Sequence, residues 1–319
     1  MRLPTPIGAY EGKRDKMRPV LSRVFRALIV CPLCKIPLLS GRPPTYCCSA
    51  CGLTFSERNN VLDFRIQLPD YPRRCVEAPS CRQSSYEQWE SGLSERDDYD
   101  LYLSEIESVR EVYEKEFSLA GTVLDVGGHQ GRLRHFLRAP DEKYLSLDSW
   151  ENPFVSLHRQ PNLLRAYPSL AEPCNFVCAH AEHVPFAVGA FDMVHMRSVI
   201  DHFMNPYLAL REAHRVLRPG GALMIGLHVT GGNSTLASGC GSRRLLSRAR
   251  KVLRDEGPLA LGGKAFARLL HRAEDDHHVW HPTYEELIDL ICICSFKVQK
   301  VHWQKPPNDH VVYILAFRC

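Results

Sequence analysis

No stretch of the 319 residues approaches the eighteen or so consecutive apolar residues of a membrane-spanning helix, so no spanning helix is expected. The first thirty residues lack a long apolar segment followed by a small-residue cleavage site, so a secretory leader fits poorly. Residues 1–29 instead carry Arg2, Lys13, Arg14, Lys16, Arg18, Arg23 and Arg26, and read as a flexible basic arm of a cytoplasmic protein. There is no G-x-G-x-x-G, which weakens a nicotinamide dehydrogenase, and no G-x-x-x-x-G-K-[ST], which removes an ATP-type phosphate loop. Internal repeats are absent, and neither sign of charge dominates: 40 Lys and Arg face 36 Asp and Glu. A net charge of +4 permits an anionic partner without demanding one.

Cysteine is plentiful. Five of the 13 fall within residues 31–51, and the rest scatter singly or in pairs. A disulfide scaffold would spread them through a short secreted chain, so a reducing compartment and a local metal site fit better. Cys31 and Cys34 (CPLC) are followed, after thirteen residues, by Cys48 and Cys51 (CSAC). Two such knuckles make the all-sulfur tetrahedral cage that zinc favours, and four thiolates leave no open position, so the metal would be structural. Cys47 competes with Cys48 as third ligand, but only Cys48 gives the two-residue gap to Cys51. Residues 30–67 are therefore read as a zinc ribbon, and 68–97, rich in Pro, Arg and Ser, as a linker.

Beyond the linker, residues 98–117 place apolar side chains at three- and four-residue intervals, an amphipathic helix. TVLDV, then RLRHFL with helical character, then KYLSLD predict a parallel βαβ unit. NFVCA, FDMVHM, a helix over about 206–217, ALMIGLHV, the helix TYEELIDLICIC and the strands FKVQKVHW and HVVYILAFR continue the alternation.

VLDVGGHQG closes its strand with an acid and places three glycines within five residues. Glycines there let the chain turn sharply and let a ligand approach the backbone. Asp148 ends the next strand 23 residues after Asp125, where a carboxylate can accept from ribose hydroxyls. Together they describe a nucleoside pocket.

This motif resembles the first motif of class I S-adenosylmethionine-dependent methyltransferases, and AEHVPFAVGAFDMVHMRSVIDHFMNPYLALREAHRVLRPGGALMI resembles the rest of that family's core. The resemblance covers about residues 98–319 and implies a doubly wound, mostly parallel α/β sheet of seven strands with S-adenosylmethionine across its carboxyl ends. By the same resemblance, Asp125, Gly127, Gly128 and Gly131 shape the methionine pocket, Asp148 holds the ribose, and Ala181 and Glu182 border the adenine. Met196 to Val199 would face the sulfonium and the acceptor. His129 and His180 depart from the family pattern. CPLC, CSACGLTF and VLDFR also resemble the zinc ribbon fused ahead of some methyltransferases, including a ribosomal RNA guanine methyltransferase group in which it helps to hold RNA.

A hydroxyl acceptor needs a base, and histidine, with its near-neutral pKa, is the usual choice. His277 and His278 in DDHHVWH, oriented by Asp275 or Asp276, and also His202, are the candidates; a divalent ion held by that segment is an alternative. Residues 231–274, with Arg243, Arg244, Arg248 and six further basic residues, read as a basic lid over an anionic acceptor. The expected reaction is O-methylation of a small or glycan-like acceptor. RNA base methylation and a non-catalytic cofactor-binding scaffold are the alternatives.

Overall fold

The computed structural model describes residues 18–40, 45–66, 92, 96–137, 143–150, 153–233, 278, 280–306 and 308–319. The chain opens with β1 (Pro19–Val20), α1 (Arg23–Arg26), β2 (Leu39–Ser40), β3 (Thr45–Cys47), β4 (Thr54–Arg58) and β5 (Val61–Asp63). It continues with α2 (Tyr99–Glu111), β6 (Val123–Val126), β7 (Tyr144–Asp148), α3 (Pro161–Ala166), β8 (Cys174–Cys178) and β9 (Phe191–Arg197). The remaining elements are α4 (Pro206–Val216), β10 (Leu217–His228), α5 (Tyr284–Ile293), β11 (Phe296–Trp303) and β12 (Val311–Arg318).

Helix boundaries follow local chemistry. Asp98 accepts from the amides of Asp100 and Leu101 to start α2, which buries Tyr102, Ile106 and Val109. Thr283 and Glu286 form a capping box at α5. RLRHFL, expected to be helical, forms only the 3-10 stretch Arg132–Phe136, entered from Gly131 in the left-handed conformation without a side-chain cap. Among the described residues no helix is long and apolar enough to cross a membrane.

The strands run β11-β12-β10-β9-β6-β7-β8-β5-β4-β3-β2. From β10 to β8 neighbours are parallel, while β12 is antiparallel to both β10 and β11. The seven strands from β11 to β8 form the doubly wound, mostly parallel sheet that the resemblance implied. The chain order reverses on either side of β6, between β7 and β9, and open α/β sheets bind ligands at such a switch point.

The cysteine-bearing region is continuous with this sheet. β5 pairs in parallel with the outer edge of β8, Leu62 opposite Val177 and Asp63 opposite Cys178. β1 takes an earlier stretch of β8, Pro19 opposite Cys174. Residues 18–29, assigned from sequence to the flexible arm, are thus part of the fold. The physical reason is apolar: Phe25 is fully buried and stacks on Phe191 at 6.1 Å. Arg26, one of the arm's basic residues, is held by Glu57 at 3.0 Å and by the Tyr46 hydroxyl at 2.9 Å. Residues 1–17 lie outside the described residues.

Two apolar layers cover the sheet. One joins Leu124, Val126, Leu145 and Val194 to Phe25 of α1 and to the ribbon's Cys31, Cys48, Phe55 and Phe64. The other joins Val123, Tyr144, Phe176 and Met193 to Tyr102, Ile106 and Val109 of α2. The first knuckle docks on α4 through Lys35, whose ammonium lies 2.5 Å from Glu212, and the Val30 amide donates to the carbonyl of Pro185. The ribbon shares the main core instead of owning a small one.

Candidate functional site

The loop after β6 and the loop after β9 interlock at the switch point. Gly127 has φ +71°, and a Cβ there would lie 2.3 Å from Val199 Cγ1. At Gly128 a Cβ would meet the Asp125 carboxylate and the Ser146 hydroxyl, both at 2.7 Å. These two glycines are therefore demanded by the protein's own packing. Gly131, with φ +87°, takes the left-handed conformation that turns the chain into the 3-10 stretch.

Asp125 is 4% exposed and its carboxylate is engaged on both oxygens. The Tyr144 hydroxyl donates to Oδ2 at 2.6 Å, and His195 Nδ1 lies 2.7 Å from Oδ1. His195 Nε2 in turn meets the Tyr113 hydroxyl at 2.9 Å. The acid sits beneath the pocket loop as the centre of a buried polar chain linking β9, β6 and β7 to Tyr113 in the helical stretch Val112–Glu116 that continues α2.

Asp148 is placed differently. It is half-buried at the carboxyl end of β7, where Oδ2 accepts from the His129 amide at 3.1 Å and Oδ1 from the Trp150 amide at 2.9 Å. Burial pushes its pKa up to about 6, against the pull of those amides. His129 has φ +49° and packs against Trp150 at 4.7 Å between ring centroids. Burial, followed by the charge of Arg132, pulls its pKa down to about 3, so the ring is neutral, and its Nε2 is buried with no hydrogen-bond partner. A half-buried carboxylate beside an orphaned ring nitrogen fits a ligand rich in hydroxyl and amino groups.

Ala181 and Glu182 form the 3-10 turn after β8 and are both enclosed; Glu182 accepts from the Asn205 amide at 3.1 Å. The rim beside them comes from the ribbon. Asp63, Cys178 and Asp148 occupy one row across the sheet. Arg65 pairs with Asp63 at 2.6 Å and donates to the Ser149 carbonyl at 3.4 Å. Burial, with a contribution from Arg65, lowers the His180 pKa.

On the other side of the switch point, Met196 is enclosed in the core, and the open end of β9 is completed by Arg197, Ser198 and Val199. Arg197 and Arg132 both reach Glu105 of α2, at 3.5 and 3.2 Å. The next turn carries Asp201 and His202, and the chain returns with His278, whose Nε2 lies 3.4 Å from Asp201 Oδ2. His202 and His278 have ring centroids 4.5 Å apart. The Trp280 amide donates to the Asp201 carbonyl at 3.1 Å and ties the returning segment to this turn. His277, Asp275, Asp276 and, past Asn233, the basic segment to residue 274 lie outside the described residues.

The ligand atoms of Cys31, Cys34, Cys48 and Cys51 lie within 4.8 Å of one another, and Cys31 and Cys51 sulfurs are 3.7 Å apart. A tetrahedral zinc–thiolate site with bonds of about 2.3 Å has sulfur–sulfur edges of about 3.8 Å. Without a metal the four thiols differ: the Cys51 amide pulls Cys48 down to about 7, while burial pushes Cys31 up and the Cys51 thiol pushes Cys34 up to about 12. Cys47 Sγ instead contacts the Cys48 carbonyl.

Asp201, Asp63, Arg65 and Glu105 were not singled out from sequence. Asp201 had a readable signal, being the acid directly before His202; the others join the site only through strand pairing and helix packing.

Residues 124–225 match the methyltransferase domain family. A mitochondrial 2-methoxy-6-polyprenyl-1,4-benzoquinol methylase of Caenorhabditis elegans is 45% identical over 58 residues, 18% of this chain and 19% of that protein. A ubiquinone/menaquinone biosynthesis C-methyltransferase of Dinoroseobacter shibae is 32% identical over 108 residues, 33% of this chain and 42% of that protein. The chain thus spans less than half the length of these relatives. Among solved structures, a 1,6-didemethyltoxoflavin-N1-methyltransferase of Burkholderia thailandensis with S-adenosylhomocysteine aligns with a TM-score of 0.46 at 14% identity, over 88% of this chain and 98% of that one.

Proposed function

We propose that this chain binds S-adenosylmethionine along the carboxyl ends of β6, β7 and β8 and transfers its methyl group to the oxygen of a small or glycan-like acceptor bearing a hydroxyl. The observation that carries the reading is the Asp148 carboxylate, fixed by the amides of His129 and Trp150 at the end of the second strand of a methyltransferase-type sheet. When bound, the cofactor supplies an electrophilic methyl on a sulfonium. The protein's part is to bind, orient and exclude water, which is most of what an in-line methyl transfer requires.

In this reading Asp148 accepts the ribose hydroxyls, and the neutral His129 offers Nε2 to the same ligand. The turn at Ala181 and Glu182, backed by Asp63 and Arg65, closes the adenine end. The Glu105–Arg132–Arg197 group lies toward the methionine end and keeps α2 closed over the crevice. Asp201, His202 and His278 stand beyond β9, on the acceptor side of the site. Among the curated relatives a malonyl-[acyl-carrier protein] O-methyltransferase is named for transfer to oxygen, whereas the ubiquinone/menaquinone relatives are named C-methyltransferases. Cys31, Cys34, Cys48 and Cys51 hold a structural zinc that fixes the ribbon against β8 and takes no part in the chemistry.

Calorimetric titration with S-adenosylmethionine and S-adenosylhomocysteine tests the reading. Micromolar binding that Asp148→Ala abolishes is the expected result. No binding to the zinc-replete wild type overturns it.

A further inference from the structure

Asp201 is the least satisfied acid of the described site. It is 7% exposed, yet its Oδ1 is buried without any hydrogen-bond partner. Leaving a buried carboxylate oxygen bare is costly unless a cation or donor completes it. Two imidazole nitrogens approach the carboxylate. His202 Nε2 lies 4.0 Å from Oδ1, and His278 Nε2 lies 3.4 Å from Oδ2. One donor atom from each of the three residues falls within 4.8 Å of the others. These separations are long for direct hydrogen bonds, but they approach the edges of a coordination polyhedron whose bonds are about 2.0–2.2 Å.

From this geometry we infer that Asp201, His202 and His278 form a second metal site, separate from the cysteines, for a divalent transition ion. The donor set decides the class of ion. Two imidazoles and one carboxylate suit zinc, manganese or iron(II), whereas magnesium and calcium prefer all-oxygen shells. Three protein ligands leave open positions, the pattern of a working site and not of a structural one. The two imidazoles are 28% and 39% exposed, so the open side faces outward, beyond β9, while the carboxylate anchors the ion from within. The anchor is rigid: the 3-10 turn Ile200–His202 follows β9, and the Trp280 amide clamps the His278 segment to the Asp201 carbonyl.

Its role rests on the proposed methyl transfer, but its existence does not. An ion here would bind the acceptor's hydroxyl oxygen and lower its pKa, so that the proton leaves to water near neutral pH. That oxygen then forms the new carbon–oxygen bond as the methyl–sulfur bond breaks and its electron pair stays on sulfur. His202 and His278 act in this scheme as ligands, and neither needs to be a free base.

The experiment is a zinc titration of the demetallated 319-residue chain, read by elemental analysis after desalting, with cobalt(II) absorption as a second probe. Wild type should retain two zinc ions. Asp201→Asn and His278→Ala should each retain one, with the intense cobalt–thiolate bands unchanged and the weaker nitrogen–oxygen component lost. Circular dichroism checks that both variants fold, and Asp201→Asn, nearly isosteric, guards against a packing defect in the other. Only one zinc in wild type, or two in both variants, overturns the inference. Cofactor titration of the same samples reports separately on the methyltransferase reading, because Asp148 and Asp201 belong to different ends of the site.

Discussion

Asp125 and Asp148 lie toward the carboxyl ends of β6 and β7, and Asp201 in the turn after the neighbouring β9, yet each is satisfied in a different way. Asp125 is closed by side chains, with Tyr144 at 2.6 Å and His195 at 2.7 Å. Asp148 is held by two backbone amides within its own neighbourhood, His129 and Trp150. Asp201 has a buried oxygen with no hydrogen-bond partner. The difference separates three jobs. A fully paired acid stiffens the sheet, an acid held by amides is positioned before its ligand arrives, and an incompletely paired acid marks where a ligand must complete the structure.

The comparison can be broken at its most closed point first. Asp125→Ala strands the Tyr144 hydroxyl and His195 in an apolar layer, and should destabilise the fold by about 3–5 kcal/mol, read by denaturant unfolding with a circular dichroism signal. A loss below about 1 kcal/mol would mean that the chain is not a structural unit.

Asp148→Asn should act in two opposite directions. Cofactor affinity should fall about tenfold to a hundredfold, because the amide cannot accept as the carboxylate does. The cofactor-free protein should gain about 1–3 kcal/mol near neutral pH, because the wild-type acid carries a burial penalty. The sign follows from its pKa, raised to about 6 from an ordinary 3.8. Between those values the folded state binds more protons than the unfolded one, so this acid's contribution to stability falls as pH rises through the window. Cofactor affinity should run the other way and weaken as pH drops below about 6, with the Asn variant flat over the same range. Titrations at several pH values decide it.

The smallest effect tests the join between ribbon and sheet. Lys35→Met removes an ammonium that burial disfavours but Glu212 holds, while Arg215 remains on Glu212 at 2.8 Å. A loss of about 1 kcal/mol in thermal or denaturant unfolding is expected. A separate, earlier melting step for the ribbon would show that its shared core does not couple it to β8.

Much of the sheet was legible in sequence because its signals are local. VLDV, YLSLD and FDMVHM are short apolar runs whose ends carry acids or glycines, and the structure forms strands at each. The cysteines were legible for the same reason, since each knuckle is two residues wide. Reading the glycines as room for a ligand was incomplete: Gly127 and Gly128 make room for Val199, Asp125 and Ser146, contacts that only folding creates. The helix expected in RLRHFL shrank to a single 3-10 stretch because it leaves a left-handed glycine without a cap.

What the sequence by itself determined is the alternation of strands and helices, the acid at the end of β7 and the pairs of thiols, all set by period, propensity and spacing along the chain. Tertiary structure alone decided that the ribbon would extend the edge of β8, because an unpaired strand edge and a fully apolar Phe25 are satisfied only by long-range pairing and packing. It also decided that Asp201 would meet His278, which lies 77 positions further along the chain. Coordination geometry is a relation between side chains in space, and no local pattern in the chain encodes it.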